Sequence, residues 1–256
     1  MTSPRLNVLR EGHGPIVVLS HALGCDLHMW DGVAASLARA HTVLRHDHRN
    51  HGASEAVPGA FGIDTLARDV AELIEREAGG EPVHFVGLSM GGMTGQALAA
   101  SRPELLRTLV IANSSSHYPD QNPWRTRAET VAAKGVAGVA QGAVDRWLTP
   151  AFAATPEGMV VAKQLYDVLV RNDDRAYIQS CAAVAAIDFR DSNRRIAVPT
   201  LVVAGLQDLA TPPAMSQQIV DAIPGARLAT IDAAHVSAAE RPEAFAELLV
   251  DFWRSL

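Results

Sequence analysis

Pro82-Val83-His84-Phe85-Val86-Gly87-Leu88-Ser89-Met90-Gly91-Gly92 joins an apolar run of strand length to a glycine-flanked serine. Small and apolar residues continue from Met90 to Ser101. The pattern predicts a buried strand, a sharp Gly-x-Ser-x-Gly turn and a helix over 90–101. Such a turn strains the serine backbone and lifts its hydroxyl above the sheet. Glycine on both sides is demanded by close packing, because it has no Cβ to clash. A serine in a glycine-rich turn with no chemistry fits the same letters, so the decision rests on whether partners exist.

Two partners lie further along the chain. Pro199-Thr200-Leu201-Val202-Val203-Ala204-Gly205 reads as a second buried strand, ending at Gln207-Asp208 ahead of Thr211-Pro212-Pro213. Asp208 thus follows a strand's carboxyl end, where sites on parallel sheets form. A third run, Arg227 to Ile231, leads through Asp232-Ala233-Ala234 to His235, and a helix is expected to start near Arg241-Pro242-Glu243. Taken singly, Asp208 could cap a turn and His235 could be a loop histidine. Placed at three successive strand ends, Ser89, Asp208 and His235 point to a nucleophile, an acid that orients the base, and the base itself. Asn113 closes another strand, but an amide cannot serve as that acid.

The rest of the chain alternates strand and helix. Leu6–Leu9 is expected as a short strand, turned at Glu11-Gly12-His13-Gly14 into a hairpin with Ile16–Ser20. A helix over 29–40 shows a 3–4 apolar spacing at Trp30, Val33, Ala34, Leu37 and Ala38. Thr42–Arg45 begins the next strand, Ile63–Glu77 is a helix ending before Gly79-Gly80, and Thr108–Asn113 is a strand. Continuous apolar strands between helices imply a mostly parallel sheet flanked by helices on both faces, an α/β class. From about Ser115 to Arg190 no buried strand occurs. Helical patterns near 124–134, 136–147, 156–170 and 174–186 fill the interval. The expected organisation is a core of residues 1–114 and 191–256 with an inserted helical lid, 115–190, above the strand ends.

The chain has 256 residues, 48% hydrophobic, which fits one α/β domain with an insertion. Its net charge is −6 and its basic residues are scattered, so nucleic acid is not an expected partner. Cys25 and Cys181, far apart, form no disulfide pattern. No apolar run reaches the roughly 18 residues of a membrane span, and Met1-Thr2-Ser3-Pro4-Arg5 begins no apolar leader. A soluble, cytoplasmic protein acting on a small molecule is expected, with no membrane partner. The sequence leaves the oligomeric state open.

Acyl transfer at Ser89 builds negative charge on the substrate oxygen, where fixed donors have their largest effect. The backbone N–H of Met90 is one expected donor, at the first turn of a helix whose dipole adds to it. The second is expected from the loop after the third strand, Ser20-His21-Ala22-Leu23-Gly24-Cys25-Asp26, where spacing assigns Leu23. Cys25 reads as a small pocket-lining residue. His46, His48 and His51 lack an acidic or cysteine partner for a tetrahedral site, so no metal and no cofactor are expected. Asp47 and Arg49 read as turn and ion-pair residues. Trp30, Trp124, Arg125 and Trp147 are the candidate substrate-binding residues. Arg125, Arg127 and Arg146 in the insertion are ordinarily solvated, but one could anchor a carboxylate.

Ser, Asp, His is the chain order of the α/β-hydrolase triad. Across nearly its whole length the chain resembles the α/β-hydrolase enol-lactonases of β-ketoadipate catabolism. The matching stretches are Leu23-Gly24-Cys25-Asp26-Leu27-His28-Met29-Trp30, the Gly87–Gly92 turn, Arg146-Trp147-Leu148-Thr149-Pro150-Ala151-Phe152, Cys181–Asp188 and Gln207–Pro212. The resemblance implies a cofactor-free serine hydrolase for a small carboxylated lactone such as 3-oxoadipate enol-lactone. It departs at Asn50, where that family shows glycine, and at His21-Ala22, where Asn-Ser is expected.

The same triad also serves small-ester carboxylesterases, perhydrolases and C–C bond hydrolases, and a ligand-binding protein could share the fold. Haloalkane dehalogenases and epoxide hydrolases need a carboxylate where Ser89 stands.

Overall fold

A computed structural model describes residues 4–256; Met1, Thr2 and Ser3, the start of the stretch read as carrying no leader, lie outside the described residues. The strands are β1 (Val8–Gly12), β2 (Ile16–Ser20), β3 (Thr42–His46), β4 (Val83–Leu88), β5 (Leu106–Ala112), β6 (Thr200–Gly205) and β7 (Arg227–Ile231). They form one sheet in the order β1-β3-β2-β4-β5-β6-β7. β1 runs antiparallel to β3 and every other neighbouring pair is parallel. β2 to β6 are buried almost throughout, as strands covered on both faces must be.

The helices of the first half are α1 (Asp31–Leu37), α2 (Ile63–Ala78) and α3 (Met90–Ser101). The insertion carries α4 (Asn122–Lys134), α5 (Ala137–Trp147), α6 (Pro150–Ala153), α7 (Pro156–Val170) and α8 (Asp174–Ala185). α9 (Arg190–Asn193), α10 (Pro213–Ala222), α11 (Ser237–Glu240) and α12 (Pro242–Arg254) complete the chain. α2 buries Ile63, Leu66, Ala67, Val70, Leu73 and Ile74, the stripe of a helix lying on a sheet, and ends at Gly79 with φ +61°.

Several expectations shift. β1 starts later than predicted and pairs with β3, so no hairpin joins it to β2. The loop carrying Leu23 follows the second strand of this chain, not the third. The helix predicted over 29–40 is a 3₁₀ turn, Leu27–Trp30, followed by the shorter α1. α10 has no predicted counterpart, although parallel β6 and β7 require a crossover there.

Register sets where the loops meet. Ser20 lies level with His46 and with Gly87, Leu88 with Ala112, and Ala112 with Val203. The segments that follow β2, β3, β4, β5 and β6 therefore emerge at one edge of the sheet. The insertion leaves and re-enters between the adjacent strands β5 and β6. An isolated bridge between His117 and Asp188, with Phe189 N–H donating to Ser116 O at 2.8 Å, ties its two ends together.

Candidate active site

Ser89 sits between β4 and α3 with φ +56° and ψ −113°, a sparsely populated conformation that costs about 1–3 kcal/mol. Its surroundings hold it there. The Ser89 amide donates to Ala112 O at 2.9 Å, and Ser114 Oγ donates to Ser89 O at 2.8 Å. The two glycines are steric necessities. A Cβ on Gly87 would stand 2.1 Å from Gly91 O, and one on Gly91 would stand 2.1 Å from Ser20 O.

Of the three residues singled out in sequence, His235 is within hydrogen-bond reach of both others. His235 Nε2 lies 3.0 Å from Ser89 Oγ, and His235 Nδ1 lies 2.8 Å from Asp208 Oδ2. Asp208 is almost fully buried and accepts four further hydrogen bonds. Ala210 and Thr211 amides donate to Oδ1 at 2.8 and 2.9 Å, and Thr211 Oγ1 donates to Oδ2 at 2.8 Å. Asn113 Nδ2 donates to the same Oδ2 at 3.0 Å. Burial alone would raise the Asp208 pKa. The charge of His235 and its hydrogen bond, with those from Asn113 and Thr211, outweigh burial and hold the carboxyl at about 2.

Asn113 is thus more than the strand end that cannot be the acid. It adopts φ +46°, donates also to Ala234 O at 3.2 Å, and accepts from Ser237 Oγ at 2.6 Å. It links the acid, the histidine loop and the start of α11. Asparagine tolerates the left-handed region better than other non-glycine residues, which suits the position. The same property explains the departure at Asn50, which has φ +64° and whose side chain exchanges hydrogen bonds with the backbone of Val57.

Among the described residues, neither the Leu23 nor the Met90 amide has a protein acceptor. Leu23 lines the same cavity as Ser89 and His235, and Met90 opens α3 directly after Ser89. Backbone N–H groups left without a protein acceptor beside a nucleophile can receive developing negative charge.

The cavity at Ser89 measures about 40 Å³ and is lined by Leu23, Ser89, His235 and Thr211 from the core, with Tyr118, Trp124, Arg127, Arg146 and Trp147 above them. Two of the candidate substrate-binding residues, Trp124 and Trp147, line this cavity. Two other candidates do not. Trp30 is fully buried on the 3₁₀ turn and packs edge-on against Phe245 of α12, ring centroids 5.8 Å apart. Arg125 is solvent-facing and bonds Asn122 within its own turn. Residues two apart on a helix face different ways, and on α4 it is Arg127, three from Trp124, that shares the cavity side. Cys25 also stays out of the cavity wall; its thiol is buried, and burial with the Asp26 charge pushes its pKa up.

Arg127 and Arg146 make no ion pair with any described residue, and Arg127 Nη2 is buried without an acceptor. Arg127 lies over the rings of Trp124 and Tyr177, at 5.7 and 5.9 Å from their centroids. Burial and the neighbouring Arg127 charge lower the Arg146 pKa. Two like charges held together in a cavity wall favour an anionic occupant. The larger cavity of about 1020 Å³ lies by β1 and α2, with charged walls and none of these residues.

His46, His48 and His51 come together with His21, a fourth member that strand register supplies. Among the described residues no group of three His, Cys, Asp or Glu side chains is arranged to hold a metal ion. Asp47 accepts from Asn7 Nδ2 and from the Leu27 and Ala53 amides, and Arg49 forms a two-pronged pair with Asp69.

A family described as alpha/beta hydrolase fold matches residues 15–242. 3-Oxoadipate enol-lactonase 2 of Acinetobacter baylyi is 36% identical over 232 residues, 90% of this chain and 85% of that protein. The crystal structure of the enol-lactonase from Burkholderia xenovorans superposes with a TM-score of 0.92 at 36% identity, covering 98% of this chain and 97% of that one. A hydrolase from Pseudomonas aeruginosa superposes with a TM-score of 0.91 at 35% identity, covering 98% and 94%. The chain belongs to the alpha/beta hydrolase fold family.

Proposed function

We propose that this alpha/beta hydrolase is a serine hydrolase that opens a small carboxylated lactone, with 3-oxoadipate enol-lactone as the best-fitting substrate. One observation carries the reading: a single cavity whose wall combines Ser89 and His235 with the unpaired guanidinium groups of Arg127 and Arg146. The likeness to enol-lactonases of Acinetobacter baylyi and Burkholderia xenovorans supports the choice of substrate.

In this scheme Ser89 Oγ attacks the lactone carbonyl while His235 Nε2 takes its proton. Asp208 keeps His235 in the tautomer with Nδ1 protonated and steadies the imidazolium. The Leu23 and Met90 amides receive the oxyanion. The ring C–O bond breaks, and His235 returns the proton to the leaving enol oxygen. Because the substrate is cyclic, the leaving group stays attached to the acyl chain. A water, deprotonated by His235, then attacks the Ser89 ester; the bond to Ser89 Oγ breaks, His235 returns the proton to that oxygen, and the dicarboxylate leaves. Arg127 and Arg146 hold the substrate carboxylate, countering the repulsion expected from a net charge of −6. The insertion, 115–190, serves as the lid that shapes the acyl site, over a core of 1–114 and 191–256. Two buried free thiols, Cys25 and Cys181, suit the reducing cytoplasm.

The test is a steady-state comparison of the enol-lactone acid with its methyl ester and with short p-nitrophenyl esters. The expected order places the acid first in kcat/KM. Outright preference for the neutral esters would replace the lactonase reading with that of a general carboxylesterase.

A further inference from the structure

The reaction scheme leaves a cluster of four buried imidazoles unused. His21, His46, His48 and His51 are each at most 2% exposed and lie under the loop that carries Leu23. His21 and His48 ring centroids are 4.5 Å apart, His46 and His48 are 4.9 Å apart, and His21 and His51 are 5.2 Å apart.

The hydrogen bonds of two of them are directional. The His48 amide donates to His21 Nε2 at 2.9 Å, so the His21 proton is on Nδ1, which donates to Ala22 O at 2.7 Å. The Gly24 amide donates to His51 Nε2 at 3.2 Å, so the His51 proton is on Nδ1, which donates to Arg49 O at 3.1 Å. Ala22 and Gly24 are the two neighbours of Leu23. One imidazole therefore grips the carbonyl before Leu23 and another grips the amide after it. From the opposite side, Asn172 Nδ2 donates to Gly24 O at 3.1 Å. A Cβ on Gly24 would stand 2.5 Å from Leu169 Cδ1, so α7 packs closely on this loop.

We propose that His51, seconded by His21, is a positioning residue that fixes the direction of the Leu23 amide toward the oxyanion. The proposal rests on the reading of Leu23 as an oxyanion donor. A donor is effective only when its N–H is already aimed at the position where charge develops. The His51 imidazole touches no substrate; it acts through the Gly24 amide, one peptide from the donor.

The test uses the full chain with p-nitrophenyl acetate as substrate and phenylboronic acid as an inhibitor that places an oxygen in the oxyanion site. His51→Leu removes the acceptor for Gly24 N–H. It is expected to lower kcat by about tenfold or more, in line with the cost of a small misplacement. KM should stay within about threefold, since the lost interaction belongs to the transition state. Phenylboronic acid should weaken in parallel with kcat. His51→Gln puts an amide oxygen where Nε2 stood and should restore most of the rate, whereas His51→Asn is too short to reach Gly24 and should not. Equal rates for Gln and Asn variants overturn the proposal, as does a folded His51→Leu with wild-type kcat. Should the leucine variant fail to fold, the Gln–Asn comparison decides alone. Leu23→Pro, which has no amide hydrogen, separates the two readings. A slow Leu23→Pro beside a normal His51→Leu sinks only the clamp, and a normal Leu23→Pro sinks the donor assignment itself.

Discussion

Replacing His46 by leucine should make the protein resistant to acid. His46 ends β3 with its side chain fully buried, and among the described residues neither ring nitrogen has a hydrogen-bond partner. Burial lowers its pKa to about 4, against the smaller opposing pull of Asp47. In the unfolded chain the same imidazole titrates near 6.5. The unfolded state therefore binds the extra proton first as pH falls, and stability is lost below about 6.5 until the folded state also protonates near 4. At about 1.4 kcal/mol per pH unit, His46 alone removes about 2 kcal/mol between pH 6.5 and 5, and about 3 by pH 4. His21 and His48, both lowered well below the ordinary value chiefly by burial, add slope in the same direction. Leucine has no proton to bind. At pH 7 it also removes two unsatisfied buried nitrogens, an effect of about 1–3 kcal/mol that offsets a similar cost of repacking. Urea unfolding followed by tryptophan fluorescence at pH 7, 6 and 5 measures the difference. The variant should match the wild type within about 1 kcal/mol at pH 7 and exceed it by about 2 kcal/mol more at pH 5 than at pH 7. Parallel declines in the two proteins would refute neutral burial of His46.

Ser89→Ala should lower kcat by about a thousandfold or more while leaving the unfolding midpoint in place; retained turnover would end the serine mechanism. Arg127→Gln or Arg146→Gln should raise KM for the carboxylated lactone by about tenfold or more and leave its methyl ester nearly unaffected, whereas Arg125→Gln should change neither. Lactone kinetics unaltered in both the Arg127 and Arg146 variants would remove the carboxylate anchor. Amide hydrogen exchange should be faster across α4, which buries only Val131, than across α5, which buries Ala140, Ala143, Val144 and Trp147. Mass-spectrometric exchange with α5 opening first would contradict this.

What could be read in the chain was whatever local sterics dictate. Gly87 and Gly91 are required by contacts to backbone only a few residues away or across one strand, so the turn announces itself in five letters. Asp208 and His235 follow apolar runs that are strands on their own evidence of composition. Side-chain facing is a different matter, because it depends on partners distant in sequence. Trp30 carries the same apolar signal as Trp147, yet it meets Phe245 from α12, while Trp147 meets the cavity. For Arg125 a signal was available: its two-residue offset from Arg127 sets them on different faces of one helix, so only one shares the Trp124 side. His21 joins the imidazole cluster because Ser20 is level with His46, a register that no single segment encodes. Asn113 was legible as a non-acid but not as the donor to Asp208, since that contact needs β5 and β6 side by side.

The way the insertion is fastened bears on how substrate reaches Ser89. A cavity of about 40 Å³ has room for a few waters at most, and ligand pockets ordinarily run to about 300 Å³ or more. Some wall must therefore part. The α5–α6 junction is poorly suited to do so. The Val236 amide, next to His235, donates to Trp147 O at 2.9 Å. The buried Glu240 carboxylate accepts from the Thr149 and Ala234 amides at 3.1 and 3.0 Å, joining this junction to the histidine loop. Moving Trp147 or Thr149 would disturb the loop that carries His235, the proposed base. Among the described residues α4 makes no such hydrogen bond to the histidine loop, and it buries only Val131, so the Trp124–Arg127 side is the wall expected to part. The same side carries the guanidinium proposed to hold the carboxylate, so an anion drawn to Arg127 would close the wall that admitted it.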